Sequence, residues 1–494
     1  MNFAIVRYLI GWMLGIESIF LLLPALTAVI YGEPELPAYL IAAAISLAGA
    51  ALLCHRKPKN TRFYAREGYV TVALCWLILA VIGALPFVLS REIPFFIDAL
   101  FETVSGFTTT GATILGDVEA LSHASMLWRC LTHWVGGMGV LVFMLIVLPL
   151  AGGQTIFLMR AESPGPSVSK MSPHMRDTAT ILYAIYFGLT VLQMILLLIG
   201  GMPFFDAICV SLGTAGTGGF GNWNDSIAHY NSAYLQNVIT VFMILFGINF
   251  SAYFLILTRK FRQAFRIEEI RVYLGVIFVF AGLIAFNVRP MFGSLRESFH
   301  HALFQVASII TTTGFSTVDF DQWPTFSRAL LVLLMFIGAC AGSTGGGFKV
   351  SRIVIGFKSV LAYLGAFLHP RAVRKVKFED KDVDAETMHA ICVYFIAAIG
   401  LFVISVLLVA LDGFDLVTTF TAVAATFNNI GPGLGAAGPT SNFAAFSDFS
   451  KVVMTMDMLL GRLEVFPMLM LFYPPLWKES IGEARIRRNR TALH

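Results

Sequence analysis

Residues Asp98 to Ala112 read DALFETVSGFTTTGA. The first half is a short apolar stretch of helical character. The second is a run of Thr and Gly that sits poorly in a helix. Long hydrophobic segments flank it on both sides, so the break falls at membrane depth or at the membrane face. Irregular backbone is tolerated there only where it is buried in protein or lines a water-filled path. A half-helix running into unwound Thr-Gly backbone can present carbonyl oxygens to a cation. Taken alone, the stretch could equally be a loop joining two spans.

The stretch recurs. Asp206 opens DAICVSLGTAGTGGF and reaches Gly219 after thirteen residues, the interval that separates Asp98 from Gly111. His301 opens HALFQVASIITTTGF and reaches Gly314 after thirteen, and TFTAVAATFNNIGPG places Gly431 in the matching position. A fixed motif repeated along one chain has to be interpreted before the fold is. Four copies imply a fourfold pseudo-symmetric arrangement.

The 494 residues are 57% hydrophobic and 13% charged, which excludes a soluble or a disordered protein and fits a helical polytopic membrane protein. The apolar runs are continuous rather than alternating, so a β-barrel is excluded too. With roughly 20 apolar residues per span, the length allows about ten spans and four half-spans. Six cysteines, Cys54, Cys75, Cys130, Cys209, Cys340 and Cys392, lie scattered in apolar segments without a CxxC pair and read as small core hydrophobes.

In chain order, Phe3–Ile30 and Tyr39–Leu53 form two initial spans, the first retained rather than cleaved as a signal. The division that follows is 1–66 for this helix pair, 67–160, 161–260 and 261–370 for repeats one to three, and 371–494 for repeat four with a tail. Closing spans are expected at Met126–Leu150, at Leu235–Leu257, from Ala329 onwards and at Val452–Leu476. The links between repeats are basic (Arg56, Lys57, Lys59, Arg62 and Arg66; Arg160, Lys170 and Arg176; RKFRQAFRIEEIR; HPRAVRKVKFEDK; the KESIGEARIRRNR tail). Acids follow the Thr-Gly segments: Asp117, Glu119, Asp225, Asp319, Asp321 and Asp448. The positive-inside rule puts the links and both termini in the cytoplasm. The acids then face outside, either concentrating cations at a mouth or serving as ordinary loop charge.

A dehydrated potassium ion needs a cage of oxygens, and carbonyls from four segments around one axis supply it without formal charge. Gly111, Gly219, Gly314 and Gly431 are the candidates for the ring, with Thr110, Gly218, Thr313 and Ile430 giving the neighbouring carbonyls. The helices ahead of them would aim their negative C-terminal ends at the ion.

The motifs TVSGFTTTGAT, GTAGTGGFG, ASIITTTGFST, NNIGPGLG, AGSTGGGFK and LLGRLEVFP together resemble the Trk-type membrane subunits of the Trk/Ktr/HKT superfamily of potassium transporters. The resemblance spans the whole chain. It implies an all-α polytopic membrane protein, with two N-terminal transmembrane helices and four membrane–pore-helix–membrane repeats around one central pore. Each filter resembles a potassium-channel filter reduced to one glycine. The second departs with Thr217-Gly218-Gly219 and the fourth with Asn429-Ile430-Gly431.

Two further stretches fit a gate. The run Gly338 to Gly347 should break the closing span of repeat three, since each Gly costs roughly 1 kcal/mol against Ala in a helix. The resemblance implies an intramembrane loop there below the filter, formed by Gly342, Ser343, Thr344, Gly345, Gly346 and Gly347, with Ser343 and Thr344 holding freed backbone groups and Lys349 following on the cytoplasmic side. A flexible kink or a small-residue packing face would also explain the run. Arg462, charged within an apolar span, is a functional-site candidate by default. The resemblance places it facing the pore beneath the filter, against the alternative of a pair with Glu464 or an interface arginine. His133 and Trp134 read as packing residues.

The expected function is potassium uptake across a bacterial inner membrane, with potassium as transported ion and no organic cofactor in this chain. The implied partners are a TrkA-like cytosolic nucleotide-binding regulatory subunit, a second copy in a homodimer, and membrane lipid, but not nucleic acid. A sodium- or proton-coupled symporter competes, and Arg462 as a nearly lone charge within the spans argues against it. A membrane-embedded enzyme competes more distantly, lacking a convergent set of His, Asp or Cys.

Overall fold

The chain is known from a computed structural model that describes residues 1–58, 64–147, 175–369 and 375–477. Several basic residues on which the orientation rests, among them Lys59, Arg62, Arg160, Lys170 and the tail, lie outside these. The first two helices, α1 (Phe3–Tyr31) and α2 (Leu36–Cys54), pack as an antiparallel hairpin. Small residues let the backbones approach, as in other membrane helix pairs. A Cβ on Gly11 would stand 2.6 Å from the Cys54 sulfur, and the Ser46 hydroxyl donates to the Leu14 carbonyl across the pair at 2.8 Å.

The rest of the chain alternates long and short helices. These are α3 (Ala65–Ser90), α4 (Phe96–Phe107), α5 (His123–Val147), α6 (Met175–Ile199), α7 (Phe204–Gly216), α8 (Ala233–Phe246), α9 (Phe250–Leu257) and α10 (Phe261–Ala264). Then come α11 (Glu268–Val288), α12 (Leu295–Ile310), α13 (Thr325–Ile337), α14 (Val350–Leu368), α15 (Ala385–Val409), α16 (Leu416–Phe427), α17 (Asp448–Arg462) and α18 (Phe466–Leu471). Side chains of Ser232, Ser294, Asp384, Asp415 and Ser447 cap the N-termini of α8, α12, α15, α16 and α17. Each such cap stabilises its helix by about 1 kcal/mol. Among the described residues the only strands are Lys377–Phe378 and Lys381–Asp382, a hairpin turning through Glu379 and Asp380, both at positive φ. Outward faces carry exposed apolar side chains such as Ile30, Phe367, Ile396 and Leu407, as lipid contact requires. The protein is an all-α polytopic membrane protein.

Among the described residues, seven helices are long and apolar enough to cross a membrane, or eight if α8 and α9 count as one bent span. The closing spans of repeats two, three and four are broken, whereas α5 runs without interruption from His123 to Val147. The expected break in repeat three is present: α13 stops at Ile337 and α14 begins at Val350. Two others were not anticipated. The expected span Leu235–Leu257 bends by 93° between α8 and α9, where the Asn249 side chain caps a new helix by accepting from the Ser251 N–H at 2.8 Å. Val452–Leu476 divides at Glu464 (φ 53°) and Val465 (φ 69°), followed by Pro467 near the start of α18.

Cys75, Cys130, Cys209 and Cys340 are buried, but Cys392 is exposed on α15 and Cys54 is half-buried, so the core reading fails for Cys392. In detergent, the native protein should take up no more than two equivalents of N-ethylmaleimide per chain, rising to six on denaturation. More than two in the native state would show that the four buried thiols are misplaced.

Candidate functional site

The four short helices α4, α7, α12 and α16 end in one local geometry. Each closes with two hydrogen bonds: Thr110 N–H to Ser105 (2.9 Å) and Thr109 N–H to Gly106 (3.0 Å) in the first, Gly218 to Gly213 (2.9 Å) and Thr217 to Thr214 (3.0 Å) in the second. Thr313 to Ser308 (2.8 Å) with Thr312 to Ile309 (3.1 Å), and Ile430 to Ala425 (2.8 Å) with Asn429 to Thr426 (3.2 Å), repeat the pattern. This is the Schellman closure, which requires a left-handed residue after the helix. That residue is not glycine here. Thr109, Thr217, Thr312 and Asn429 adopt φ of 56°, 55°, 57° and 57°, at about 1–2 kcal/mol each for an L-residue.

Two residues later come Gly111, Gly219, Gly314 and Gly431, with φ of 80°, 82°, 85° and 99°. They stand against one another. A Cβ on Gly111 would overlap the Gly218 carbonyl oxygen, one on Gly219 that of Thr313, and one on Gly314 that of Ile430. A Cβ on Gly431 would lie 2.7 Å from the Thr110 carbonyl oxygen. The order runs from first segment to second, third, fourth and back to the first. All eight residues nominated from sequence, Thr110, Gly111, Gly218, Gly219, Thr313, Gly314, Ile430 and Gly431, therefore meet in one closed ring. On one side a polar vestibule opens, lined by the segments that follow the glycines, including Asn224, Ser316, Thr440 and Asn442. At its rim the Asn224 amide donates to Asp117 at 2.8 Å and holds that carboxyl below the usual carboxylate range, so it is charged at neutral pH.

Behind the ring each returning segment is tied to its own helix by a different side chain. The Glu102 carboxylate accepts from the Thr113 hydroxyl (2.9 Å), the Ile114 N–H (3.0 Å) and Arg129 Nε (2.8 Å). Asp206 accepts from Asn222 (2.7 Å), Trp223 (3.0 Å) and Tyr230 (2.6 Å). His301 meets Thr317 at 3.0 Å, and Thr421 accepts from the Leu434 N–H at 2.9 Å.

The glycine run lies across the opposite face of the ring from the vestibule. Gly346 N–H donates to the Thr312 hydroxyl at 2.7 Å, and a Cβ on Gly345 would come 3.0 Å from the Thr311 carbonyl oxygen. Gly342, with φ 72°, accepts from the Phe250 N–H at 3.0 Å. Ser343 donates to Cys340 (2.6 Å) and Thr344 to Phe246 (3.2 Å), where the α8 break frees a carbonyl. Gly347, at φ 74°, turns the chain toward α14. The Lys349 ammonium donates back to the Gly345 carbonyl. Arg462 holds the run from across the molecule, donating to the carbonyls of Thr344 at 2.8 Å and Gly136 at 2.7 Å. Glu464, offered from sequence as its partner, pairs with Arg352.

Two expectations are corrected. Arg462 is far from a lone charge: Glu17, Glu102, Arg129, Glu269, Arg352 and Asp457 are all buried. The pairings that hold several of them are distant in sequence: Glu102 and Arg129 are 27 residues apart, Glu269 and Ala341 72, and Arg352 and Glu464 112. Trp134 packs on Tyr186, but His133 does more than pack, bonding to the Gly106 carbonyl at 2.8 Å and the Phe220 N–H at 3.2 Å. The i, i+4 pair Arg129 and His133 in an apolar span was the available signal.

These features define a polytopic membrane protein whose four re-entrant turns close a ring of glycines and backbone carbonyls. A family model described as "TrkH: Cation transport protein" matches residues 37–479, and the chain belongs to that family of transporters, which are not enzymes. It is 37% identical to the Trk system potassium uptake protein TrkH of Salmonella typhimurium, over 97% of this chain and all of that one. To the Trk system potassium uptake protein TrkG of Escherichia coli it is 33% identical, over 96% of this chain and 98% of that one. The crystal structure of the potassium transporter TrkH from Vibrio parahaemolyticus superposes with a TM-score of 0.87 at 32% identity, covering 97% of this chain and all of the other.

Removing one partner of a buried ion pair costs about 3–5 kcal/mol. Arg129→Met should accordingly lower the melting temperature in detergent sharply, and Glu102→Gln/Arg129→Met should recover most of the loss. An Arg129→Met protein as stable as the parent would show that the pair does not brace the first turn.

Proposed function

We propose that this chain carries potassium into the cell through the ring of four glycines. The closed order of Gly111, Gly219, Gly314 and Gly431, each against the next segment's carbonyl, is the observation that carries this reading. Carbonyl dipoles from four segments replace the hydration shell of a monovalent cation, and four helix C-termini lower its energy further. Relatives named as potassium uptake proteins point to potassium as the ion. In the proposed arrangement the four repeats are 67–160, 161–260, 261–370 and 371–494, the vestibule is extracellular, and both termini are cytoplasmic in a bacterial inner membrane. The glycine run, pinned by Arg462, closes the path beneath the ring. A cytosolic nucleotide-binding subunit on the basic face would move it, and the unit would be a homodimer.

The experiment is rubidium uptake into proteoliposomes, with potassium and sodium as competitors. Gly314→Ser forces a side chain into a left-handed position against the Ile430 carbonyl and should reduce the preference for potassium over sodium about tenfold or more. Unchanged preference would remove the ring as the filter. Arg462→Met removes two charge-assisted bonds, each worth about 1.5–3 kcal/mol, that tie the glycine run at Thr344 to Gly136 of α5. Uptake by the isolated subunit should rise severalfold; a fall, with ion preference intact, would mean that Arg462 aids permeation instead of blocking it.

A second reading, proton-coupled symport, is favoured by one observation. Asp457 is buried inside α17 with one oxygen held by the Ser405 hydroxyl at 2.6 Å and the other without a partner, and both Glu17 oxygens are likewise unpartnered. Carboxyls so placed are the usual elements of proton relays. Uptake that collapses with a protonophore at fixed membrane potential would support it.

A further inference from the structure

The second turn differs from the first and third at two positions. In the first, the hydroxyls of Thr108 and Thr110 bond to each other at 2.8 Å, and in the third those of Thr311 and Thr313 do so at 2.7 Å. The corresponding residues of the second turn are Gly216 and Gly218, which have no side chains to pair. The space is not empty. A Cβ on Gly218 would fall inside the His133 ring, and one on Gly216 would overlap the His133 carbonyl oxygen. The imidazole comes from α5 and is wholly buried.

Its two nitrogens are both used. Nδ1 donates to the Gly106 carbonyl of the first helix at 2.8 Å, and Nε2 accepts from the N–H of Phe220 at 3.2 Å, the residue immediately after Gly219. One donor and one acceptor are what a neutral imidazole offers. The ring also lies 4.2 Å from the Phe220 ring, over which the Arg129 guanidinium stands at 4.1 Å. One turn of α5 thus holds Phe220 through both residues while bracing the first turn.

We propose that His133 is the positioning residue of the second turn: its imidazole replaces the missing Thr–Thr pair and sets the carbonyls of Gly218 and Gly219, and with them the ion preference. This rests on the ring of four glycines being the filter. Gly218 is then a glycine because the imidazole needs its space, which gives the sequence departure at Thr217-Gly218-Gly219 a structural cause.

The test measures rubidium uptake, with potassium and sodium as competitors, for purified monodisperse His133→Leu, His133→Gln and the swap His133→Ala/Gly218→Thr, with Gly314→Ser alongside. His133→Leu keeps bulk but loses both bonds, and its potassium preference should fall about tenfold. His133→Gln retains an acceptor for the Phe220 N–H and should keep more of it, and the swap should recover at least a third of the loss. If the swap fails to fold, His133→Ala/Gly218→Ala takes its place with the same expectation. Unchanged preference in His133→Leu, while Gly314→Ser loses it, overturns the proposal and leaves His133 a packing residue. A folded swap that recovers nothing overturns the claim that the imidazole stands in for the side chain that Thr110 and Thr313 supply at the position of Gly218. Unchanged preference in both His133→Leu and Gly314→Ser removes the filter itself, and this proposal with it.

Discussion

The left-handed turn at the end of four short helices is the constraint on which everything else depends. A helix that ends in water satisfies its last carbonyls with solvent, and one that ends inside a membrane protein cannot. Here each helix folds its last N–H groups back in a Schellman closure, which sets a carbonyl of each turn beside the glycine of a neighbouring turn. The φ values of 55° to 57° at three threonines and an asparagine are unfavourable by about 1–2 kcal/mol each. Such strain persists only where the surroundings over-determine it.

Those surroundings are supplied by side chains that glycine would lack. The Thr312 hydroxyl accepts from Gly346, and the Asn429 amide donates to the Thr110 hydroxyl at 3.0 Å and to the Met458 carbonyl at 2.8 Å. Two of the four left-handed residues, Thr312 and Asn429, are therefore also points where one turn grips another element, whereas the Thr217 hydroxyl bonds the Gly216 carbonyl of its own turn. Four unlike braces, a buried ion pair, a hydrogen-bonded aspartate, a histidine and a threonine, hold the four returning segments. Backbone geometry is shared among the turns and the supporting chemistry is not. That is what is expected when four copies on one chain are free to diverge around one backbone requirement.

The same contrast explains what was legible in the sequence. The thirteen-residue interval to Gly111, Gly219 and Gly314, with the looser match at Gly431, is a local signal, and it led directly to the ring. Apolar composition led to the helical membrane fold, and the glycine run led to the break after Ile337. The break at Asn249 and the one at Val465 carried no comparable mark, because a single capping asparagine or a β-branched residue at positive φ looks ordinary in an apolar run. Glu102 and Arg352 were missed, and His133 read only as packing, for another reason: Thr113, Phe220 and Glu464, which they engage, stand 11, 87 and 112 residues away, and burial of a charge is a tertiary fact. Among exposed residues, the acids that follow the Thr-Gly segments read either as a cation-concentrating surface or as loop charge, and the bond from Asn224 to Asp117 was not visible in the sequence.

The glycine run and the ring are one mechanical unit. Thr312, whose left-handed φ aims the third turn, is the acceptor for Gly346, and Arg462 ties the neighbouring Thr344 carbonyl to Gly136 on α5. Gly136 itself sits so close to Phe107 that a Cβ would overlap that carbonyl, and Phe107 ends the first short helix. Under the proposed reading, any displacement of the run that opens the path must therefore surrender a hydrogen bond to the third turn and disturb the contact behind the first. Each such bond is worth about 1 kcal/mol net, comparable with the strain each turn stores. Opening and ion preference then share the same interactions, and a protein built this way cannot hold its gate wide open without loosening the geometry that selects the ion.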